Sequence, residues 1–118
     1  MSTALSILVV EDEPLIAMML EDFLESLGHR VHATCDSVGQ AVEAVDEGGF
    51  ELAILDINLK GESVWPVAKR LRDKTIPFVL ATGGHVDPPP AEFGNAPVIE
   101  KPYTIDRVSP AIDAAFAI

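Results

Sequence analysis

The sequence predicts an α/β fold: a five-stranded, mainly parallel sheet with helices on both faces, in a single domain over residues 1–118. Short apolar runs rich in Ile, Leu and Val recur along the chain and suit strands buried on both faces. Segments with apolar residues at helical spacing follow them. Strand and helix alternate five times, as parallel neighbours joined by crossover connections require. With 118 residues, 48% of them hydrophobic, the chain can bury one core but is short for two domains of ordinary size.

Leu5 to Val10 is the first strand, and it stops at Glu11-Asp12-Glu13. Pro14 suits the first position of a helix, where no backbone donor is needed. Ile16, Leu20, Phe23, Leu24 and Leu27 form its apolar face until Gly28. Arg30 to Thr34 is a weaker second strand. Ser37, with Gln40 three residues later, makes a capping-box signature for a helix carrying Val38, Ala41, Val42 and Val45, which Gly48-Gly49 ends. Glu51 to Asp56 repeats the first pattern, an apolar strand closing on an acid. Gly61 opens a turn before a third helix with Val64, Val67, Ala68 and Leu71 on one face. Ile76 to Ala81 is the fourth strand, running into Thr82-Gly83-Gly84.

There the alternation weakens. Pro88-Pro89-Pro90 removes backbone donors and restricts its neighbours, so residues 85–96 are expected to form a loop or a frayed fourth helix, with one helical turn near Ala91 to Phe93. Pro97 to Glu100 is the fifth strand. Thr104 can cap a last helix carrying Ile105, Val108, Ile112, Ala115 and Phe116. Pro110 either kinks that helix, at about 3 kcal/mol, or starts it behind a Ser109 cap.

Eight Lys plus Arg against 19 Asp plus Glu leave a formal charge of -11, a field that repels nucleic acid and anionic lipid. The single cysteine, Cys35, excludes an internal disulfide, and His29, His32 and His85 lack zinc-site spacing. A cytoplasmic setting fits best. No apolar stretch approaches the roughly 20 residues that span a bilayer. Met1 and a completed last helix favour an intact small protein without an output domain.

In a parallel sheet, ligands gather at the carboxyl ends of the strands. Glu11 and Asp12 follow the first strand, Asp56 closes the third, Thr82 follows the fourth, and Lys101 follows the fifth. Carboxylates crowded together either take up protons or recruit a cation. With oxygen ligands, that cation is Mg2+. Such a site lowers the cost of bringing a phosphoryl group to a carboxylate: Lys101 can pair with one phosphoryl oxygen, and the Thr82 hydroxyl can donate to another. Asp56 is then the candidate nucleophile. The bland readings are helix-terminus acids at Glu11 to Glu13, a loop acid at Asp56, a turn threonine at Thr82 and a surface lysine at Lys101.

Taken together, these residues resemble the receiver domain of two-component response regulators, and the resemblance covers essentially the whole chain. It implies a flavodoxin-like three-layer sandwich in which Glu11, Asp12, Asp56 and the Asn58 backbone carbonyl hold Mg2+. Asp56 would accept phosphate from a sensor histidine kinase or a histidine phosphotransfer protein, with Thr82 and Lys101 contacting the phosphoryl group. It further implies a switch rather than an enzyme, a monomer or weak dimer, and output through an unknown downstream protein. In this family the Lys101-Pro102 peptide is often cis.

Two departures stand out. Val98 occupies the position, three before the lysine, where the family commonly carries a Tyr or Phe that rotates on activation. Leu80-Ala81-Thr82-Gly83-Gly84 resembles the variant subgroup with a Phe-Ala-Thr-Gly motif, with Leu80 replacing the Phe. In place of a rotating ring, phosphorylation is expected to order residues 83–95. Trp65 reads as packing, and Tyr103 as either a packed ring or a partner contact. The competing functions are an aspartate-nucleophile phosphohydrolase, a pseudo-receiver that binds without phosphorylation, and a flavin-binding module. The hydrolase lacks a second acid at Asn58 and the length for a cap domain. The flavin module lacks a phosphate-cradling loop after the first strand.

Overall fold

The computed structural model describes residues 4–83 and 90–116. The expectations placed on His85 and on Pro88-Pro89 lie outside the described residues, as does the part of the stretch expected to become ordered that spans 84–89. One five-stranded sheet runs in the order β2-β1-β3-β6-β7. Its strands are β1 (Ser6–Val10), β2 (Arg30–Cys35), β3 (Leu52–Asp56), β6 (Phe78–Thr82) and β7 (Val98–Glu100). All four pairings are parallel. The chain passes from β1 to β2 on one side and then returns to place β3 on the other, so the carboxyl ends of β1 and β3 flank a topological switch point.

The apolar runs become strands because both faces of the sheet are covered. Leu8 and Val10 of β1, with Ala53 and Leu55 of β3, join one core cluster. Ile7 and Val9, with Leu52 and Ile54, join the other. This period of two divides each strand between two helical layers. Helices α2 (Val38–Glu47) and α3 (Trp65–Asp73) cover the first cluster through Ala41, Val45, Val67, Ala68 and Leu71. Helices α1 (Pro14–Ser26) and α4 (Ile105–Phe116) cover the second through Leu20, Leu24, Val108 and Ile112. The predicted three-layer α/β/α sandwich is the observed fold.

Local chemistry sets the boundaries. Pro14 opens α1, and Gly28, at φ 90°, follows its end in a conformation that costs glycine little. Ser37 Oγ accepts from the Gln40 N–H at 3.2 Å, as the capping signature requires. The Gln40 side chain accepts from the Asp36 N–H at 3.0 Å, one residue before the box's usual partner. Between β3 and α3 the chain makes a hairpin of β4 (Asn58–Leu59) and β5 (Glu62–Ser63). Its turn residues Lys60 and Gly61 have φ of 51° and 79°, the paired positive values of a tight hairpin turn. The hairpin went unpredicted because two-residue strands are too short to show a period.

No full helix is described between β6 and β7; a single 3-10 turn, η1 (Ala91–Phe93), lies there, in keeping with the expected weakening. It is held through Phe93, which stacks on Trp65 with ring centroids 5.6 Å apart and planes 11° off parallel. Phe78 meets the same ring edge-on at 6.0 Å, and the Arg72 guanidinium lies 5.4 Å from its centroid. Trp65 is therefore a packing residue. The last helix begins at Ile105 and runs through Pro110, which overturns the alternative of a Ser109 cap. Thr104 Oγ1 accepts from the Arg107 N–H at 3.2 Å. Buried Val108, Ala111 and Ile112 hold the helix to the sheet on both sides of the proline.

Candidate functional site

Four strand ends deliver the candidate residues to one edge of the sheet. Glu11 and Asp12 follow β1, where the Glu11 N–H still donates to the Cys35 carbonyl of β2 at 3.0 Å. Asp56 is the last residue of β3, a strand paired on both sides, and the next N–H, from Ile57, donates to the Ala81 carbonyl at 3.0 Å. Thr82 ends β6, and its carbonyl accepts from the Lys101 N–H at 2.8 Å, which fixes where the lysine leaves β7. The Lys101-Pro102 peptide is cis. Asn58 begins β4, two residues beyond Asp56, and pairs with Ser63.

These backbone constraints bring opposite charges together. Lys101 Nζ lies 2.8 Å from Glu11 Oε1 and 3.0 Å from Asp56 Oδ2. Ligand oxygens of Glu11, Asp12 and Asp56 all lie within 4.8 Å of one another. Glu11 and Asp56 are 1% and 5% exposed. Burial drives the Asp56 carboxyl up to about 6; the Lys101 hydrogen bond works against the rise, and the nearby Glu11 charge adds to it. For Lys101, burial disfavours the ammonium, but hydrogen bonds to Glu11 and Asp56 outweigh it and the pKa is raised.

One ammonium between two buried carboxylates leaves net negative charge, and Asp12 adds a third acid at the rim. Oxygen ligands at this spacing fit a small divalent cation, which accepts one or two carboxylates and keeps several waters. The donor set therefore suits Mg2+. Asp12 is held in place by the hairpin: its Oδ2 accepts from the Lys60 N–H at 2.8 Å.

Two contributors escaped the sequence reading. The Lys60 backbone amide was invisible because its role depends on turn geometry. Tyr103 is fully buried, which decides for the packed ring, and its hydroxyl lies 3.5 Å from Glu11 Oε1 as a donor. Burial first, and then the Glu11 charge, push its phenol pKa upward. Its place directly after Lys101-Pro102 was the available signal. Val98, where the family commonly has a ring, is 47% exposed on β7.

The family profile of the response regulator receiver domain matches residues 7–113. The chain belongs to that family. Among curated relatives, the receiver is 34% identical over 114 residues to YkoG of Bacillus subtilis, named an uncharacterized transcriptional regulatory protein, covering 92% of this chain and 50% of that protein. It is 32% identical over 121 residues to the phyllosphere-induced regulator PhyR of Methylorubrum extorquens, covering 95% of this chain and 43% of that one. The chain thus spans half or less of the length of these regulators. Among solved structures, SdrG from Sphingomonas melonis Fr1 matches at 50% identity and a TM-score of 0.87, covering 99% of this receiver and 100% of that chain. The BeF3-activated conformation of SdrG, from Pseudomonas melonis Fr1, matches at 50% identity and a TM-score of 0.80, covering 96% and 98%. No helix among the described residues is long and apolar enough to cross a membrane.

Proposed function

We propose that this receiver is a phosphoryl-accepting switch of a two-component relay, with Asp56 as the acceptor. The observation that carries the reading is Lys101 Nζ bridging Glu11 and Asp56 beside Asp12, a charge arrangement built to take up a cation and an anion together. Glu11, Asp12, Asp56 and the Asn58 backbone carbonyl would hold Mg2+. When bound, the ion offsets charge on the phosphoryl oxygens.

With its pKa at about 6, Asp56 is largely ionised at neutral pH and able to act as a nucleophile. Its carboxylate oxygen attacks phosphorus in the phosphohistidine of a sensor kinase or phosphotransfer protein. A P–O bond forms as the P–N bond breaks, and the electron pair leaves with the imidazole, which takes a proton. Lys101 moves from Asp56 to the new phosphoryl group, and the Thr82 hydroxyl donates to another of its oxygens.

The receiver then acts in the cytoplasm by changing its contacts with a downstream protein. The 50% identity to SdrG over 99% of this receiver supports a role built on the receiver fold. Leu80-Ala81-Thr82-Gly83-Gly84, with exposed Val98 in place of the usual ring, supports membership of the Phe-Ala-Thr-Gly subgroup. Intact mass after incubation with Mg2+ and a small-molecule phosphodonor tests the core claim. One added phosphoryl group is expected in the wild type, and none in Asp56→Asn or in the presence of a chelator. No gain under any donor would leave a pseudo-receiver that signals by binding alone.

A further inference from the structure

Glu11 Oε1 is shared. It accepts from Lys101 Nζ at 2.8 Å and lies 3.5 Å from the Tyr103 hydroxyl, while Oε2 accepts from the Glu13 N–H at 3.2 Å. The Glu11 side chain is buried completely, and the Asp56 carboxyl also lies against it. The two donors on Oε1 differ in what ties them down. Lys101 Nζ is also committed to Asp56 and lies on a flexible stem. Tyr103 is buried in the core cluster that also holds Ile7, Val9, Ile99 and Val108, with the Lys101 ammonium 5.8 Å from its ring centroid.

We propose that Tyr103 is a positioning residue that takes over Glu11 when Lys101 leaves it. The inference rests on the reading of Asp56 as phosphoacceptor. Phosphoryl oxygens at Asp56 draw the ammonium toward themselves, and Glu11 Oε1 loses its charged partner in a pocket with little access to water. With one donor fewer, that carboxylate is less firmly aimed at the cation site. Oε1 then settles on the Tyr103 hydroxyl, already within reach, which keeps the carboxylate aimed. At 3.5 Å the Tyr103 hydroxyl stands at the outer limit of hydrogen-bond distance from Oε1, with room to tighten.

The test is Tyr103→Phe, which removes one oxygen and keeps the ring. Mg2+ titrations are followed by amide NMR with and without fixed beryllofluoride, which stands in for the phosphoryl group. With beryllofluoride, the half-saturating Mg2+ concentration should rise about five- to tenfold in Tyr103→Phe. Without it, the change should stay under about twofold, because Lys101 still holds Glu11. Equal shifts in both conditions, or none in either, would overturn the proposal.

Lys101→Ala provides a second arm that needs no phosphoryl mimic. In that background Tyr103→Phe should weaken Mg2+ binding about fivefold even in the unloaded protein. Additive, near-zero behaviour there would also overturn it. A wild type that shows no response to beryllofluoride rejects the phosphoacceptor reading instead, and the Lys101→Ala pair still decides the role of Tyr103. Urea midpoints measured alongside separate a loss of positioning from a loss of fold.

Discussion

Asp56→Asn should stabilise the metal-free receiver at neutral pH while abolishing phosphoryl acceptance. The Asp56 carboxyl titrates at 3.8 as a free group and at about 6 in the fold, chiefly because it is buried. Between those values the folded state keeps a proton that the unfolded chain has lost. Stability therefore falls as pH rises through this window, and the loss is complete above about pH 6. The difference corresponds to about 3 kcal/mol. Asn cannot ionise and has nearly the shape of the protonated acid, so the variant escapes this cost, and Lys101 retains Glu11.

Urea unfolding in chelator, followed by fluorescence of the single tryptophan, Trp65, measures the difference. The variant should gain up to about 3 kcal/mol near pH 7.5, falling to about 1 kcal/mol near pH 4.5, with equal m-values. A variant less stable than the wild type near pH 7.5 would refute the electrostatic reasoning, as would a gain that does not shrink on acidification. Added Mg2+ should raise the stability of the wild type much more than that of the variant.

Phe93→Ala removes the ring that Trp65, Phe78 and Arg72 share, and should cost about 3 kcal/mol. A red-shifted, more quenchable Trp65 emission checks that η1 has come away from α3. Ser37→Ala should cost about 1 kcal/mol in urea unfolding, because the Gln40 N–H loses its acceptor at the start of α2.

Much of the architecture could be read in advance because the signals were local. Apolar runs such as Leu52 to Leu55, short and set between helical patterns, suit a strand covered on both faces, and Pro14, Gly28 and Ser37 mark helix ends by their own backbone chemistry. The candidate site was legible for a related reason: parallel topology carries every strand's carboxyl end to one edge, so acids and a lysine placed there must meet. What escaped depends on distant geometry. The Lys60 amide reaches Asp12 only because a two-residue turn folds back on the pocket. Pro110 was undecidable because its tolerance comes from the packing of Val108, Ala111 and Ile112 against the sheet, which outweighs a missing donor. The anchoring of Phe93 likewise depends on a ring contributed from α3.

Asp56 closes a strand that is hydrogen-bonded along both sides and buried on both faces. Mechanically, that makes it an abutment. A bulky charged group added to its carboxylate cannot be accommodated by recoil of β3, whose displacement would shear two ladders and open two cores at once. The load must pass into a more compliant member that touches the same pocket, namely the Lys60-Gly61 turn that clasps Asp12. The stiffness of the central strand thus determines the direction in which a modification at this edge does mechanical work.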